Sequence, residues 1–481
     1  MIFNSLTYLL LLVTVVVLYW ILPYRARLLL IFASSLLFYG FWRIEFLPIL
    51  LLSAFVDWWV SLKMTGRPER QRFYLLLVSL TVNLGLLFYF KYLIFFADNA
   101  IGLANLLGAE LDPIALTIIL PLGISFYTFQ TISYTVDVYR RLINPERDLV
   151  LYGCFVTYFP QLVAGPVLRA AEVIHQFVHR VPFTWEHIFA GARRVLYGLF
   201  LKVALADNLA PLVDAGFAMP LATMSALDVW TLAFLFGFQI YFDFSAYSHI
   251  ALGSARMMGI VFPENFNFPY LASSPKDFWR RWHISLSSWI RDYLYLPLAG
   301  VKVHDRSVGG LAAATTDRRH TKSLFLTWGI MGLWHGANWT FLLWGLYHAV
   351  VITLYRLIEP GTRGLAHWVR WWGGVAITLP LMMLAWIPFR ADSLAMTFAM
   401  WAKLFEPAAY TWLGMRENVY LIAALVLAGI FMTYGVKEKL LPRLEKLPVL
   451  AWSGDTLSVA VMTAVVIIFL RPINQFIYFQ F

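Results

Sequence analysis

The chain has 481 residues, 60% hydrophobic and only 13% charged, where a soluble globular protein carries about a quarter charged residues. Mean hydropathy is +0.70, which excludes a soluble enzyme. The net charge of +10 is therefore not a nucleic-acid footprint but a set of basic loops facing anionic lipid headgroups.

The aromatic share of 17%, with 20 Trp, suits a protein with much membrane interface, where Trp and Tyr anchor. Cys154 is the single cysteine, so no intramolecular disulfide can form. In an apolar run it reads as a small buried hydrophobe.

The first 27 residues, MIFNSLTYLLLLVTVVVLYWILPYRAR, hold an apolar run about as long as a bilayer. No basic region precedes it and no small-residue cleavage site follows, so it is expected to be a retained first span. Further apolar runs lie near 27–43, 45–62, 73–96, 113–136, 150–165, 191–213, 226–251, 323–343, 341–358, 367–389, 418–435 and 456–470. At ~20 residues per span, the pattern predicts an all-α polytopic membrane protein of roughly eleven to thirteen membrane helices, some re-entrant. No internal repeat or long linker divides the chain. A single domain over 1–481 is expected, with N-terminal spans in 1–150, a core in 151–350 and C-terminal spans in 351–481.

Loop charge sets an orientation. Residues 63–72, KMTGRPERQR, are strongly basic and are placed in the cytoplasm. Counting back puts Arg25 and Arg27 inside and the N-terminus outside. Counting forward puts 97–113, which contain no Lys or Arg, outside, and the basic 139–148 inside again. Beyond 165 the count is ambiguous.

Residues 262–322 are not a simple series of spans. Ser274-Pro275-Lys276-Asp277 forms a helix start, with Ser as N-cap, Pro at the first position and Asp at the third. On one continuous helix, Lys276, Arg280, His283, Ser287 and Arg291 would make a basic stripe. Phe278, Trp282, Ser285 and Trp289 would make another face. Such an amphipathic helix lies at an interface or dips into the protein from the cytoplasmic side. Residues 301–322 follow as a polar loop assigned to the cytoplasm, with His304 and His320 solvated.

Four histidines sit in apolar or structured contexts: His249, His283, His335 and His348. His335 stands in GLWHGANW, beside Trp334, Gly336, Asn338 and Trp339. An ionisable group inside hydrocarbon needs a cavity or a partner, and neutral imidazole suits a general base. Gly332 and Gly336 leave room for a backbone or a substrate. The alternative is a histidine that hydrogen-bonds between helices. His348 lies thirteen residues on, roughly 220° round a continuous helix, and is read as structural. Metal chemistry finds no support. There is no HExxH or CxxC, and the His175/His179 pair lacks a third ligand. No phosphate loop, dinucleotide fingerprint or serine elbow occurs.

The segments WRRWHISLSSWIRDYLYLPL and GLWHGANWTFLLWGLYH together resemble the membrane-bound O-acyltransferases. More narrowly, they are similar to the bacterial branch that includes alginate acetylation and teichoic-acid D-alanylation subunits. Further matching stretches are 121–140, 158–169, 238–260, 386–391 and the closing FIYFQF. The resemblance implies a ring of helices around a thin, funnel-like core. It implies an acyl donor engaged at the cytoplasmic face and a hydroxyl acceptor arriving from the other side. The family's essential histidine maps onto His335 and its second histidine onto His283.

Residue chemistry then supplies roles. His335 could deprotonate the attacking hydroxyl, with Asn338, Trp339 or His283 as donors to the oxyanion and Trp334 flanking the site. Lys276, Arg280, Arg281 and Arg291 would attract the phosphates of acetyl-CoA or a phosphopantetheine carrier. Asp243, inside an apolar run, could orient a histidine or pair with Arg256. No bound cofactor is expected.

The activity implied is acetyl transfer across the bacterial inner membrane for O-acetylation of an exported polysaccharide such as alginate, cellulose or peptidoglycan. The partner implied is a periplasmic SGNH-type acetyltransferase. D-alanyl transfer to teichoic acid is the alternative within the class. A transporter without acyl chemistry is the alternative outside it, but the two-fold repeat of broken helices common in such folds is not seen.

Overall fold

The computed structural model describes residues 1, 3–301, 320–362, 364–444 and 446–469. Residues 302–319 of the expected polar loop, with His304, and the closing FIYFQF lie outside these residues; the loop's last two positions, 321 and 322, belong instead to a helix, and His320 just before it is half-buried. Among the described residues there is no strand. That follows from the solvent: in hydrocarbon each backbone N–H must find its acceptor within the segment, which a helix provides.

In chain order the helices begin with α1 (Leu6–Ile21), α2 (Tyr24–Gly40), α3 (Leu47–Lys63), α4 (Glu69–Leu87), α5 (Leu93–Leu106), α6 (Ile124–Tyr139) and α7 (Leu149–Thr157). The middle third holds α8 (Ala170–Val178), α9 (Trp185–Phe200), α10 (Asp207–Phe217), α11 (Ala226–Met257), α12 (Pro275–Arg281), α13 (Ile284–Ile290) and α14 (Leu296–Leu298). The rest are α15 (Thr321–His335), α16 (Trp339–Thr362), α17 (His367–Arg390), α18 (Leu394–Lys403), α19 (Glu417–Gly435), α20 (Leu441–Leu444) and α21 (Pro448–Ile468).

By length and composition seven runs among the described residues can cross a membrane: Ile44–Lys63, Glu69–Leu106, Trp185–Phe217, Ala226–Met257, Trp339–Thr362, His367–Arg390 and Glu417–Arg443. Leu6–Ile21 and Trp452–Ile468 are shorter apolar helices. Several expected spans are built differently. The run at 113–136 is non-helical up to Gly123 and becomes α6, which is buried along nearly its whole length. The run at 150–165 is the nine-residue α7 followed by buried irregular backbone through Leu168. Such backbone exists at membrane depth only where protein, not lipid, surrounds it.

α11 is the axis of the fold. It is capped by Ser225, whose hydroxyl accepts from Asp228 N–H while the Asp228 carboxylate accepts from Ser225 N–H at 2.7 Å, a capping box with Asp in the acidic position. Its 32 residues are mostly buried. α9 crosses it through glycines: a Cβ on Gly253 would lie 2.6 Å from Gly191 O, and one on Gly198 would lie 2.7 Å from Ala246 O. Small residues at such crossings let backbones approach where no hydrophobic force drives helix association.

In the N-terminal half a buried carboxylate joins three helices. Asp57 on α3 accepts from Asn83 Nδ2 at 2.7 Å, from Thr135 Oγ1 at 3.2 Å and from the Ser79 hydroxyl. A polar group in this setting is tolerable because its lone pairs are occupied.

Candidate active site

The basic stripe expected on one helix is split. Ser274 caps α12 as the sequence indicates, accepting from Asp277 N–H at 3.0 Å with Pro275 in the first turn. The helix then stops at Arg281. Trp282 is extended, and His283 adopts the left-handed conformation with φ 41°. α13 starts at Ile284, so His283 is not in register with Lys276 and Arg280. Asn267 N–H donates to Arg281 O at 2.9 Å, and Ile284 N–H donates to Asn265 O at 2.9 Å. This pairing with 265–267 holds the break open. A left-handed non-glycine costs on the order of 1–3 kcal/mol and persists only where its surroundings fix it.

Asn265, which the sequence did not single out, organises the break. Its Oδ1 accepts from Ser285 N–H at 3.2 Å and from Ser285 Oγ at 2.9 Å, and lies 3.2 Å from His283 Nδ1. Its Nδ2 donates to Ser248 Oγ at 3.2 Å. Because the Ser285 N–H fixes Oδ1 as the acceptor, His283 Nδ1 carries the proton and its Nε2 presents a lone pair. His283 is buried, with its ring 4.6 Å from Phe244 and 6.3 Å from Phe126.

His335 is the last residue of α15. The chain runs extended through Gly336, and α16 starts at Trp339. The imidazole is buried, with ring centroids 4.9 Å from Trp334, 4.7 Å from Trp344 and 5.2 Å from Phe389. Phe126 lies between His283 and Trp334, the neighbour of His335, at 6.3 Å and 5.7 Å. Lys91 Nζ donates to the His335 carbonyl at 3.0 Å, and Trp344 lies between the His335 and His348 rings.

The two glycines expected to give access are filled instead by packing. A Cβ on Gly332 would lie 2.3 Å from Phe341 O, and one on Gly336 would lie 2.1 Å from the Phe341 ring. Their room is taken by α16.

The break also changes the reading of His348. The 220° separation assumed one continuous helix. With the turn at 336–338, His348 faces the same aromatic cluster: Trp344 lies 4.7 Å from His335 and 4.8 Å from His348. His348 is also 4.9 Å from Trp279 and 5.2 Å from Trp328.

The other expected site residues are placed as follows. Asn338 Oδ1 accepts from Thr340 N–H at 3.0 Å, so its carbonyl end starts α16. Trp339 is exposed, and its indole N–H donates to Asn99 Oδ1 at 2.8 Å. Asp243 pairs with Lys202 at 2.6 Å rather than with Arg256, and Lys202 also meets Asp207 at 2.9 Å.

Among the four donor-binding candidates, Arg281 is tied to Asp277 at 3.0 Å and Arg291 to Asp292 at 2.6 Å. Arg280 is exposed and Lys276 half-buried, with no ion pair for either among the described residues. Asp292 also holds Arg169 at 2.7 Å. Arg169 and Arg140 lie over the Tyr293 ring at 5.4 and 5.5 Å. Neither Arg169 nor Asp292 was singled out by sequence. Their signal was present in the matched segments 158–169 and WRRWHISLSSWIRDYLYLPL, but spacing alone does not pair positions so far apart. No group of three or more metal-ligating side chains occurs among the described residues.

The sequence that builds these two helix breaks matches a known family. The family model of the membrane-bound O-acyltransferases matches residues 146–390, which include His283 and His335. The "Probable alginate O-acetylase AlgI" of Azotobacter vinelandii is 38% identical over 434 residues, covering 88% of this chain and 82% of that protein. The peptidoglycan O-acetyltransferase of Helicobacter pylori is 35% identical over 388 residues, 75% of this chain and 70% of that protein. The teichoic acid D-alanyltransferase of Bacillus subtilis is more distant, 29% identical over 251 residues, 50% of this chain and 60% of that protein. The chain is an O-acyltransferase and belongs to the membrane-bound O-acyltransferase family.

Proposed function

We propose that the protein moves an acetyl group from a cytoplasmic thioester donor across the bacterial inner membrane for O-acetylation of an exported polysaccharide, with His335 as general base. The observation that carries this reading is the buried His335 at the α15–α16 turn, with Phe126 packed between its neighbour Trp334 and His283. The relatives favour acetyl over D-alanyl transfer: those named for acetylation are 38% and 35% identical over most of the chain, the D-alanyltransferase 29% over half of it.

In the step proposed, the His335 ring takes the proton of the acceptor hydroxyl as its oxygen bonds to the thioester carbonyl carbon. The tetrahedral intermediate collapses with cleavage of the C–S bond, and the proton passes to the departing thiolate. His283, through its Nε2 lone pair, accepts from the hydroxyl as it enters; the O–H then turns to His335, which takes that one proton, and with its own proton on Nδ1 the His283 ring has no N–H to offer the oxyanion. Lys276 and Arg280 hold the phosphates of acetyl-CoA or an acyl carrier at the cytoplasmic face. No bound cofactor is required. The N-terminus lies outside by the distribution of loop charge, and a periplasmic acetyltransferase of the SGNH type receives the acetyl group for the polymer.

The test is polymer acetylation in a strain lacking the gene, complemented with His335→Ala or His283→Ala at matched membrane levels. Both are expected to abolish or severely reduce acetylation. Full acetylation by a normally inserted His335→Ala protein would sink the mechanism.

A further inference from the structure

α4 and α5 form one continuous 38-residue helix, Glu69–Leu106, interrupted by a single π-helical turn at Phe88–Tyr92. π-helical turns inside α-helices are uncommon and gather at functional sites. This one carries Lys91 and Tyr92, and both reach the end of α15. Tyr92 Oη donates to Leu333 O at 3.1 Å. Lys91 Nζ donates to Trp334 O at 2.6 Å and to His335 O at 3.0 Å. Three consecutive carbonyls ending at His335 thus receive side-chain donors from two consecutive residues more than two hundred positions earlier.

The need for these donors follows from the chain path. The last four carbonyls of a helix have no partner within it. The usual remedy, a left-handed residue just after the helix that folds the backbone onto those carbonyls, is absent because Gly336 is extended. The ammonium is also the sign of charge that the C-terminal end of a helix favours. Its position is fixed further by the Trp334 ring, 5.9 Å away.

We propose that Lys91, assisted by Tyr92, is a positioning residue for His335. It holds the terminal turn of α15 so that the imidazole stands in the Trp334–Trp344–Phe389 frame at the geometry proton transfer needs. Lys91 acts through His335 and not on the substrate. The proposal rests on His335 being the reacting base.

The test compares Lys91→Met, Lys91→Arg, Tyr92→Phe and His335→Ala in the complemented deletion strain. It reads polymer acetylation per membrane-inserted molecule. Amide hydrogen exchange of residues 333–338 is read on the purified full chain in detergent micelles. Lys91→Met is expected to lose about tenfold to a hundredfold of the acetylation, the scale on which small displacements of reacting groups act. Its exchange should rise at 333–338 and not elsewhere. Lys91→Arg, which can still donate to two carbonyls, should recover most of the loss, and Tyr92→Phe should fall between.

Wild-type acetylation per molecule in Lys91→Met, with His335→Ala inactive, overturns the proposal and leaves the role of His335 standing. Activity in His335→Ala overturns both. If Lys91→Met does not accumulate, Tyr92→Phe decides: unchanged acetylation with unchanged exchange at 333–338 overturns the proposal.

Discussion

Gly345 of α16 packs directly on the backbone of α15 at Trp328. A Cβ at position 345 would lie 2.1 Å from Trp328 O and 3.2 Å from Gly332 Cα. The hairpin that presents His335 is therefore held by backbone contact, and its spacing cannot be widened without moving the histidine. Gly345→Ala is expected to destabilise the protein by about 1–3 kcal/mol, the usual cost of overpacking, and to lower acetylation beyond the loss of protein. The comparison is Gly373→Ala on α17, where nothing lies within 4 Å of the new methyl. That change should leave the melting midpoint in detergent unchanged or slightly raised, since Ala favours helix over Gly by about 1 kcal/mol.

Asn265 fixes the tautomer of His283, so its removal should affect chemistry more than folding. Asn265→Ala leaves the Ser285 N–H and the imidazole without their acceptor. The expected loss of polymer acetylation is about ten- to a hundredfold, the range seen when the partner orienting a functional histidine is deleted. Acetylation equal to wild type at matched protein level would show that His283 needs no fixed orientation.

Lys202 sits between Asp243 and Asp207 at 2.6 and 2.9 Å and is almost fully buried. Lys202→Met strands a buried carboxylate and should cost about 3–5 kcal/mol. The double variant Lys202→Met, Asp243→Asn removes both members of the buried pair and should regain part of that loss. Melting curves of the purified variants decide this, and equal midpoints for single and double variants would contradict it.

The four basic residues expected to attract the donor's phosphates should separate in a binding measurement. Arg280 and Lys276 carry no ion pair among the described residues, but Arg281 and Arg291 are each engaged by a carboxylate. With CoA as the probe, Arg280→Glu and Lys276→Glu are expected to weaken binding about tenfold at low salt, and less at high salt. Arg281→Gln should change it little. An Arg281→Gln effect as large as those at Arg280 and Lys276 would contradict this separation.

Much of the architecture is legible in the sequence because hydrocarbon permits few solutions. Most apolar runs become helices, and Ser274 caps α12 where local chemistry says it should. What is not legible is where helices break. Local signals continue the helix past Arg281, yet Asn265 and Asn267 compete for the backbone and leave His283 left-handed. The signal for a helix through Gly336 is equally continuous, so the phase argument separated His348 from His335 although both face Trp344. Lys91 was invisible for a related reason: a lone lysine in an apolar run shows a cost, but not which distant carbonyls offset it. Asp243 showed its need for a partner, but Lys202 is brought to it by a π-helical turn, Leu201–Ala206, that no periodicity announces.

The buried non-helical backbone after α7 has a consequence for how the protein is made. Val167 N–H donates to Ser285 Oγ at 2.9 Å, a partner 118 residues further along the chain. At ~5–20 residues per second of synthesis, this amide waits on the order of ten seconds before its acceptor emerges. Unpaired backbone cannot rest against lipid tails during that interval. The segment must therefore be kept in water or inside the insertion machinery until α13 arrives. The buried backbone at 158–168 is therefore completed late, and a slowed or truncated synthesis before residue 285 would expose this segment first.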